Sequence, residues 1–364
     1  MDNRIQKRSS NFELLRIVSM FIIILGHYAL GTNWYFATNT MFLRKEAVQF
    51  LWVGGRMGVV TFTLISGYFL AKSRFKWRSL LHNWAEVLFY SWAVLILVKI
   101  VGKPEVSPVD FVRNLFPVTF GVANWYATAY IILYFLFPFI NLALKHMSKT
   151  QYRTLLVVLG ITLTITQVFM LSPAAGSNGY DAVSLILIYL IGAYIRYYPE
   201  DFSPKKRWLY VGLFFLAVIL SALSLLLLDY MQAHNLQYLN KTLYFGYFMD
   251  GNSPFPLIAG TCLFLFFKDL HIKHSTIINS LATTMYGVYL LHSNFFLVTP
   301  LWNWAIRGTQ FHHTSQILLY GLGAALVVLL VGAVVDYIRQ FLMKPVNLGL
   351  DKFAAYLEKK KLYE

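Results

Sequence analysis

Runs of about 20 apolar residues, separated by short polar connectors, recur along the whole chain. A helix needs roughly that length to cross the hydrocarbon of a bilayer, where every backbone N–H and C=O must be paired within the protein. The pattern predicts helices near 12–32, 51–71, 83–102, 124–144, 153–172, 181–198, 208–228, 253–270, 277–297 and 316–338. Two of these are weak: 51–71 is interrupted by Arg56 and 181–198 is short, and loss of either would invert everything downstream. The longest connectors, near 33–50, 103–123 and 229–252, are too short to fold alone, and no internal repeat is evident. The expected fold class is therefore all-α: a polytopic transmembrane bundle of about ten helices forming one domain over 1–340. Residues 341–364 mix Phe341, Leu342, Val346, Leu348, Phe353 and Leu357 with lysines. They read either as a basic interfacial helix on an anionic leaflet or as a soluble tail. The basic start and first apolar run resemble a signal peptide, but Glu13 and Arg16 interrupt the beginning and no small-residue cleavage site follows. A retained first span is expected.

Composition agrees with a lipid environment. Hydrophobic residues make up 58% of the 364 and charged residues 13%, against about a quarter in soluble domains. Aromatic residues reach 17%, which suits a surface meeting acyl chains and headgroups. The net charge of +15 sits on connectors rather than on a polar domain, which speaks against nucleic-acid binding. Of the lysines and arginines, 22 fall on the termini and even connectors, 7 on the odd ones, and Arg16 and Arg56 within spans. That bias places both termini in the cytoplasm. Cys262 is the single cysteine, so neither an intrachain disulfide nor a cysteine metal site can form.

Ionisable groups inside a span are costly and are candidates for function. The first helix carries Glu13, Arg16 and His27 in NFELLRIVSMFIIILGHY. Eleven positions at about 100° each return to within roughly 20° of the same face, so Arg16 and His27 share a stripe, about 16 Å apart along the axis. Arg16 then sits near the inner headgroups and His27 deep in the membrane, with Glu13 one turn before Arg16 and able to pair with it. A plainer reading, with Arg16 reaching lipid phosphate and His27 a packing residue, stays open. Arg56, in the outer half of the second span, either holds an anionic or sugar group or pairs with a neighbouring helix, for instance through Glu86. His292, one turn after Tyr289, can bind an acceptor or assist proton movement. His312 and His313 share an outer loop, but no HExxH or cysteine cluster accompanies them, so no metal is expected. GxGxxG, P-loop and GxSxG patterns are absent.

Arg16, ten intervening residues and His27, on the first of ten predicted spans in a basic protein, resemble the Arg-x10-His motif of the acyltransferase-3 family of membrane acyltransferases. Three further segments match in the family's order: VVTFTLISGYFL around Ser66, Gly67 and Tyr68; ANWYATAYIILYFLFPFIN around Trp125 and Tyr126; and TTMYGVYLLHSNFF around Tyr286, Tyr289 and His292. The resemblance spans about 11–340. It implies a multi-pass protein of the bacterial cytoplasmic membrane that moves an acyl group, expected to be acetyl, from cytoplasmic acyl-CoA (acetyl-CoA) to an extracytoplasmic polysaccharide or lipid-linked glycan. On that footing Arg16, Arg74 and Arg78 are expected to bind the donor's phosphates, although KSRFKWR is also what topology alone would place there. His27 is expected to act as general base, or to carry the acyl group transiently. Ser66, Trp125, Tyr126 and Tyr289 are candidate donors to the developing oxyanion. Some members carry a fused extracytoplasmic domain that completes transfer; none is expected after the tenth span here, which leaves direct transfer or hand-over to a separate envelope partner open. The rival classes are a glycan or lipid transporter, or a non-catalytic subunit of a glycan-assembly complex.

Overall fold

A computed structural model of the protein describes residues 9–37, 40–102, 105–118, 124–170, 179–249 and 251–360. Among these the chain is helical, with an isolated bridge between Tyr238 and Lys241 and no strand. The helices are α1 Ser10–Gly31, α2 Leu43–Phe50, α3 Trp52–Leu70, α4 Trp77–Val101, α5 Pro108–Leu115, α6 Trp125–Lys145, α7 Lys149–Gly160, α8 Gln167–Phe169, α9 Ala182–Tyr197, α10 Arg207–Ala233, α11 Pro254–Lys268, α12 Thr276–Ala282, α13 Met285–His292, α14 Phe295–Thr299, α15 Ile317–Leu342 and α16 Lys344–Glu358. Six stretches are long and apolar enough to cross a membrane: Ser10–Gly31, Leu43–Leu70, Trp77–Val101, Trp125–Lys145, Pro199–Ala233 and Ile317–Leu342.

The bundle is organised around α3, the helix whose pattern is interrupted by Arg56. Its small residues let neighbouring backbones come close, the means by which helices associate in lipid, where apolar burial gives no drive. A Cβ on Gly54 would lie 2.8 Å from the Ile22 carbonyl oxygen of α1, and one on Gly58 would lie 2.6 Å from that of Ser19. Ser19 and Thr61 hydrogen-bond across the same seam at 2.5 Å. On the opposite face, Gly67 and Gly192 interlock α3 with α9: their added Cβ atoms would meet the Tyr189 and Leu64 carbonyls at 2.5 and 2.6 Å. A helix so enclosed can hold an arginine because its neighbours, not lipid, surround it.

Four of the predicted spans are shorter or interrupted. The fifth starts at a capping box on Ser148 and Gln151, runs to Gly160, and continues as a π-helical turn over Ile161–Thr166 into α8. Ala182–Tyr197 has 16 residues and Pro254–Lys268 has 15. The ninth is not one helix over 277–297 but α12, α13 and α14 followed by a π-helical turn Pro300–Ala305. At the first break the Thr283 and Thr284 hydroxyls donate to the carbonyls of Ser280 and Leu281, three residues back, in competition with the helical ladder. At the second, Asn294 caps α14 by accepting from the Phe296 N–H.

The ends of the bundle differ in charge. At the basic end Arg153 and Lys149 of α7 bind Asp201 at 2.8 Å each. Residues 344–358 form a helix that lies along α4, where Asp351 accepts from Arg78 at 2.8 Å and pairs with His82 at 2.7 Å. At the opposite end a buried ion pair of 3.2 Å between Lys45 and Asp229 ties α2 to α10.

Candidate active site

Arg16 faces into the bundle at the basic end. It lines a cavity of about 320 Å³ together with Phe62, Ser66, Ser79, His82, Asn83 and Glu86, closed further in by Tyr126, Tyr130 and Tyr286. One guanidinium nitrogen of Arg16 donates to both Glu13 oxygens, at 3.1 and 3.0 Å. Glu13 is nearly buried while the Arg16 side chain keeps 28% exposure. The pair therefore fixes the arginine without hiding it.

A second cavity, of about 440 Å³, opens toward the other end and is lined by His27, Asn124, Trp125, Tyr289, Ser293 and apolar residues of α1 and α14. Between the two lies a small apolar space of about 10 Å³, room for roughly one water, bounded by Met20, Ile23, Val59, Phe62, Tyr126, Tyr286 and Tyr289. Phe62, Tyr126 and Tyr286 belong also to the Arg16 cavity, and Tyr289 to the His27 cavity. Positions 16, 20, 23 and 27 recur at helical spacing, so a single stripe of α1 forms one wall of all three spaces. Tyr126 and Tyr289 meet edge to face with centroids 5.7 Å apart, and the Tyr126 hydroxyl contacts Thr63 Oγ1 at 3.3 Å.

His27 Nδ1 lies 2.9 Å from Nε2 of His292, which is 2% exposed. His292 Nδ1 in turn lies 2.6 Å from the Val288 carbonyl oxygen. The break after α13 brings further polar groups to this cavity. Ser293 Oγ stands 2.8 Å from Asn124 Oδ1 and 2.6 Å from the Tyr289 carbonyl.

Behind the Arg16 cavity sits a buried charge network. Arg339 pairs with Glu86 at 3.0 Å and with Asp336 at 2.7 Å, while Tyr90 and Gln340 donate to the two Asp336 oxygens. Asp336 is 0% exposed. Its carboxylate approaches the α13 backbone at Gly287, where an added Cβ would lie 1.9 Å from Asp336 Oδ1.

With this geometry in hand, comparison with known families is decisive. The model of the acyltransferase domain that defines the acyltransferase-3 family matches residues 9–336. The chain belongs to that family. It is a membrane acyltransferase in the general sense that the family carries. No protein of curated function and no solved structure matches it.

Of the residues singled out in this acyltransferase, the structure brings Arg16, Ser66 and Tyr126 to one cavity, with Glu13 paired to Arg16, and His27, Trp125 and Tyr289 to the other, with His292 directly behind His27. Arg74 and Arg78 line neither; Arg74 is exposed on the α3–α4 connector and Arg78 is held by Asp351. Arg56 does not pair with Glu86, whose partner is Arg339. It donates instead to the Gly251 and Gly179 carbonyls at 2.5 Å each, under the rings of Trp125 and Tyr180. Its visible work is to fasten two connectors behind the His27 cavity. Sequence reasoning passed over His82, Asn83, Asn124 and Ser293, and the Asp336–Arg339 pair. Asp336 lies inside a predicted span, so the rule that flagged Arg16 and His27 would also have found it.

Proposed function

We propose that this chain is an O-acyltransferase, with acetyl the expected group, working between a cytoplasmic acyl-CoA and the hydroxyl of an extracytoplasmic polysaccharide or its lipid-linked precursor. The observation that carries the reading is the α1 stripe: Arg16 in the wall of one cavity, His27 in the wall of the other, and Met20 and Ile23 lining the space between. The proposed topology has ten crossings of a bacterial cytoplasmic membrane, with both termini and the basic end inside, in keeping with the lysine and arginine bias.

The donor brings phosphates and an acyl thioester. Arg16 offers the phosphates what is left of its guanidinium after pairing with Glu13, and His82, Asn83 and Ser79 add polar groups beside it. Along α1 about 16 Å separates Arg16 from His27, a span that an extended linker between phosphate and thioester can cover. The narrow space between the cavities has to widen for that, and Met20, with its flexible thioether, is the side chain best able to yield. In the outer cavity His27 takes the proton from the acceptor hydroxyl as its oxygen bonds to the acyl carbon. The carbon–sulfur bond then breaks, and the thiolate leaves with the proton that His27 returns. The Tyr289 hydroxyl, the Trp125 indole N–H and Ser293 line the cavity of His27 and are the candidate donors to the developing oxyanion, with Tyr126 edge-on behind Tyr289. Direct transfer and hand-over to a separate envelope partner both fit this scheme.

Purified protein incubated with acetyl-CoA and a soluble glycan acceptor is expected to release free thiol and acylate the glycan. Arg16→Lys keeps the charge but loses the planar fork, and is expected to raise KM for the donor about tenfold with kcat within a few-fold. A transporter, which the broken ninth helix would also suit, would give no thiol release. Topology is checked separately in a Cys262→Ala background. A single cysteine at Thr314 is expected to react with an impermeant maleimide added outside intact cells, and one at Ser203 only after permeabilisation. Labelling of Ser203 from outside would overturn the ten-crossing arrangement.

A further inference from the structure

We propose that His292 is a positioning residue that sets the tautomer of His27 and leaves His27 Nε2 as the bare nitrogen presented to the outer cavity. The inference rests on the reading of His27 as the base and adds the atom that acts. The chain of hydrogen bonds has a fixed direction because it ends on a backbone carbonyl, which can only accept. Val288 O, 2.6 Å from His292 Nδ1, therefore requires the proton on that nitrogen. In a neutral imidazole the other nitrogen is then a lone pair, so His292 Nε2 accepts. His27 Nδ1, 2.9 Å away, must be its donor and carries the proton. That leaves His27 Nε2 unprotonated.

Local structure makes the arrangement rigid. Val288 and His292 lie one turn apart on α13, so the first bond is a side chain folded back on its own helix. The helix ends immediately afterwards, at Ser293 and Asn294, and His292 is 2% exposed, packed between His27 and the edge of Tyr289. His27 alone of the two lines the cavity. A free imidazole would divide its proton between both nitrogens and both ring orientations; a fixed acceptor behind it selects one state, as second partners do for histidines elsewhere. When His27 takes up a proton, the charge is shared along a line of donors and acceptors that already points away from the substrate.

The test uses His292→Phe, which keeps the ring volume and removes both bonds, and His292→Gln, whose amide can donate to Val288 O and accept from His27 Nδ1. His292→Phe is expected to lower kcat at least about 100-fold with KM for acetyl-CoA within twofold, and His292→Gln to stay within about tenfold of wild type. In a His27→Ala background, His292→Phe is expected to cost nothing further. Nitrogen-15 spectra of histidine-labelled protein in membranes, taken as wild type minus His27→Ala, are expected to lose one protonated Nδ1 and one bare Nε2, a readout independent of turnover. Wild-type kcat in His292→Phe, equal losses in both His292 variants, additive losses in the double variant, or a protonated His27 Nε2 would each overturn the role of His292. Full activity of His27→Ala would instead remove His27 from the chemistry.

Discussion

Replacing His27 with alanine is expected to lower acyl transfer to the acceptor by about 10²–10⁴-fold, the range that a positioned general base contributes. The loss is expected in kcat, because His27 supplies the one imidazole lining its cavity among the described residues, while the phosphates of the proposed donor would be held some 16 Å away at Arg16. KM for acyl-CoA should stay near the wild-type value. Folding should survive, since His27 is half-buried at a cavity wall and its one hydrogen bond is to His292. The check compares O-acylation of surface glycan in cells making wild type and His27→Ala at equal membrane abundance, beside thiol release by the purified proteins. Unchanged acylation would exclude His27 as the base.

Gly287→Ala is expected to be the most damaging small substitution in the bundle, costing about 3 kcal/mol. Helix propensity alone predicts the reverse, since alanine in a helix interior is favoured over glycine by about 1 kcal/mol. The deciding fact is the clash: a Cβ at this position would sit 1.9 Å from Asp336 Oδ1 and 2.8 Å from the Tyr90 hydroxyl. Either α13 moves off α15 or Asp336 gives up its partners. The second course leaves Arg339, 7% exposed, with Glu86 alone, and buried charges that lose a partner cost several kcal/mol. The expected result is a lower midpoint of thermal unfolding and reduced membrane abundance. Because Glu86 lines the Arg16 cavity, donor affinity should fall in whatever folded protein remains. An unfolding midpoint equal to wild type would show that α13 and α15 have room that the structure does not give them.

Much of the fold could be read from the hydrophobic pattern. Helices stand at each of the ten predicted positions, and their ends fall mostly within a few residues of the pattern's limits. The departures have local causes. α1, α3, α4, α6, α10 and α15 run long even though isolated hydroxyls such as Ser19, Thr63 and Ser221 bond carbonyls one turn back. The ninth span, by contrast, breaks where Thr283 and Thr284 make such bonds side by side and again where Ser293 and Asn294 follow in succession. The run around Arg56 looked weakest because an arginine in lipid is prohibitive. It is the most enclosed because glycines on two faces admit α1 and α9 to backbone contact. A hydropathy average records the cost of the arginine and is blind to the neighbours that remove it.

The sequence by itself determined that Arg16 and His27 lie on one stripe of one helix, because helical periodicity is local and three turns of apolar chain leave it no freedom. Family membership followed from motifs in order. Only the tertiary structure decided which way the stripe faces, that Met20 and Ile23 separate two cavities along it, and that His292 stands behind His27. It also turned Arg56 to carbonyls, Arg78 to Asp351 and Arg339 to Glu86. Such partners are 195 and 273 positions apart in two of those cases. The packing of whole helices brings them together, and no spacing along the chain encodes it.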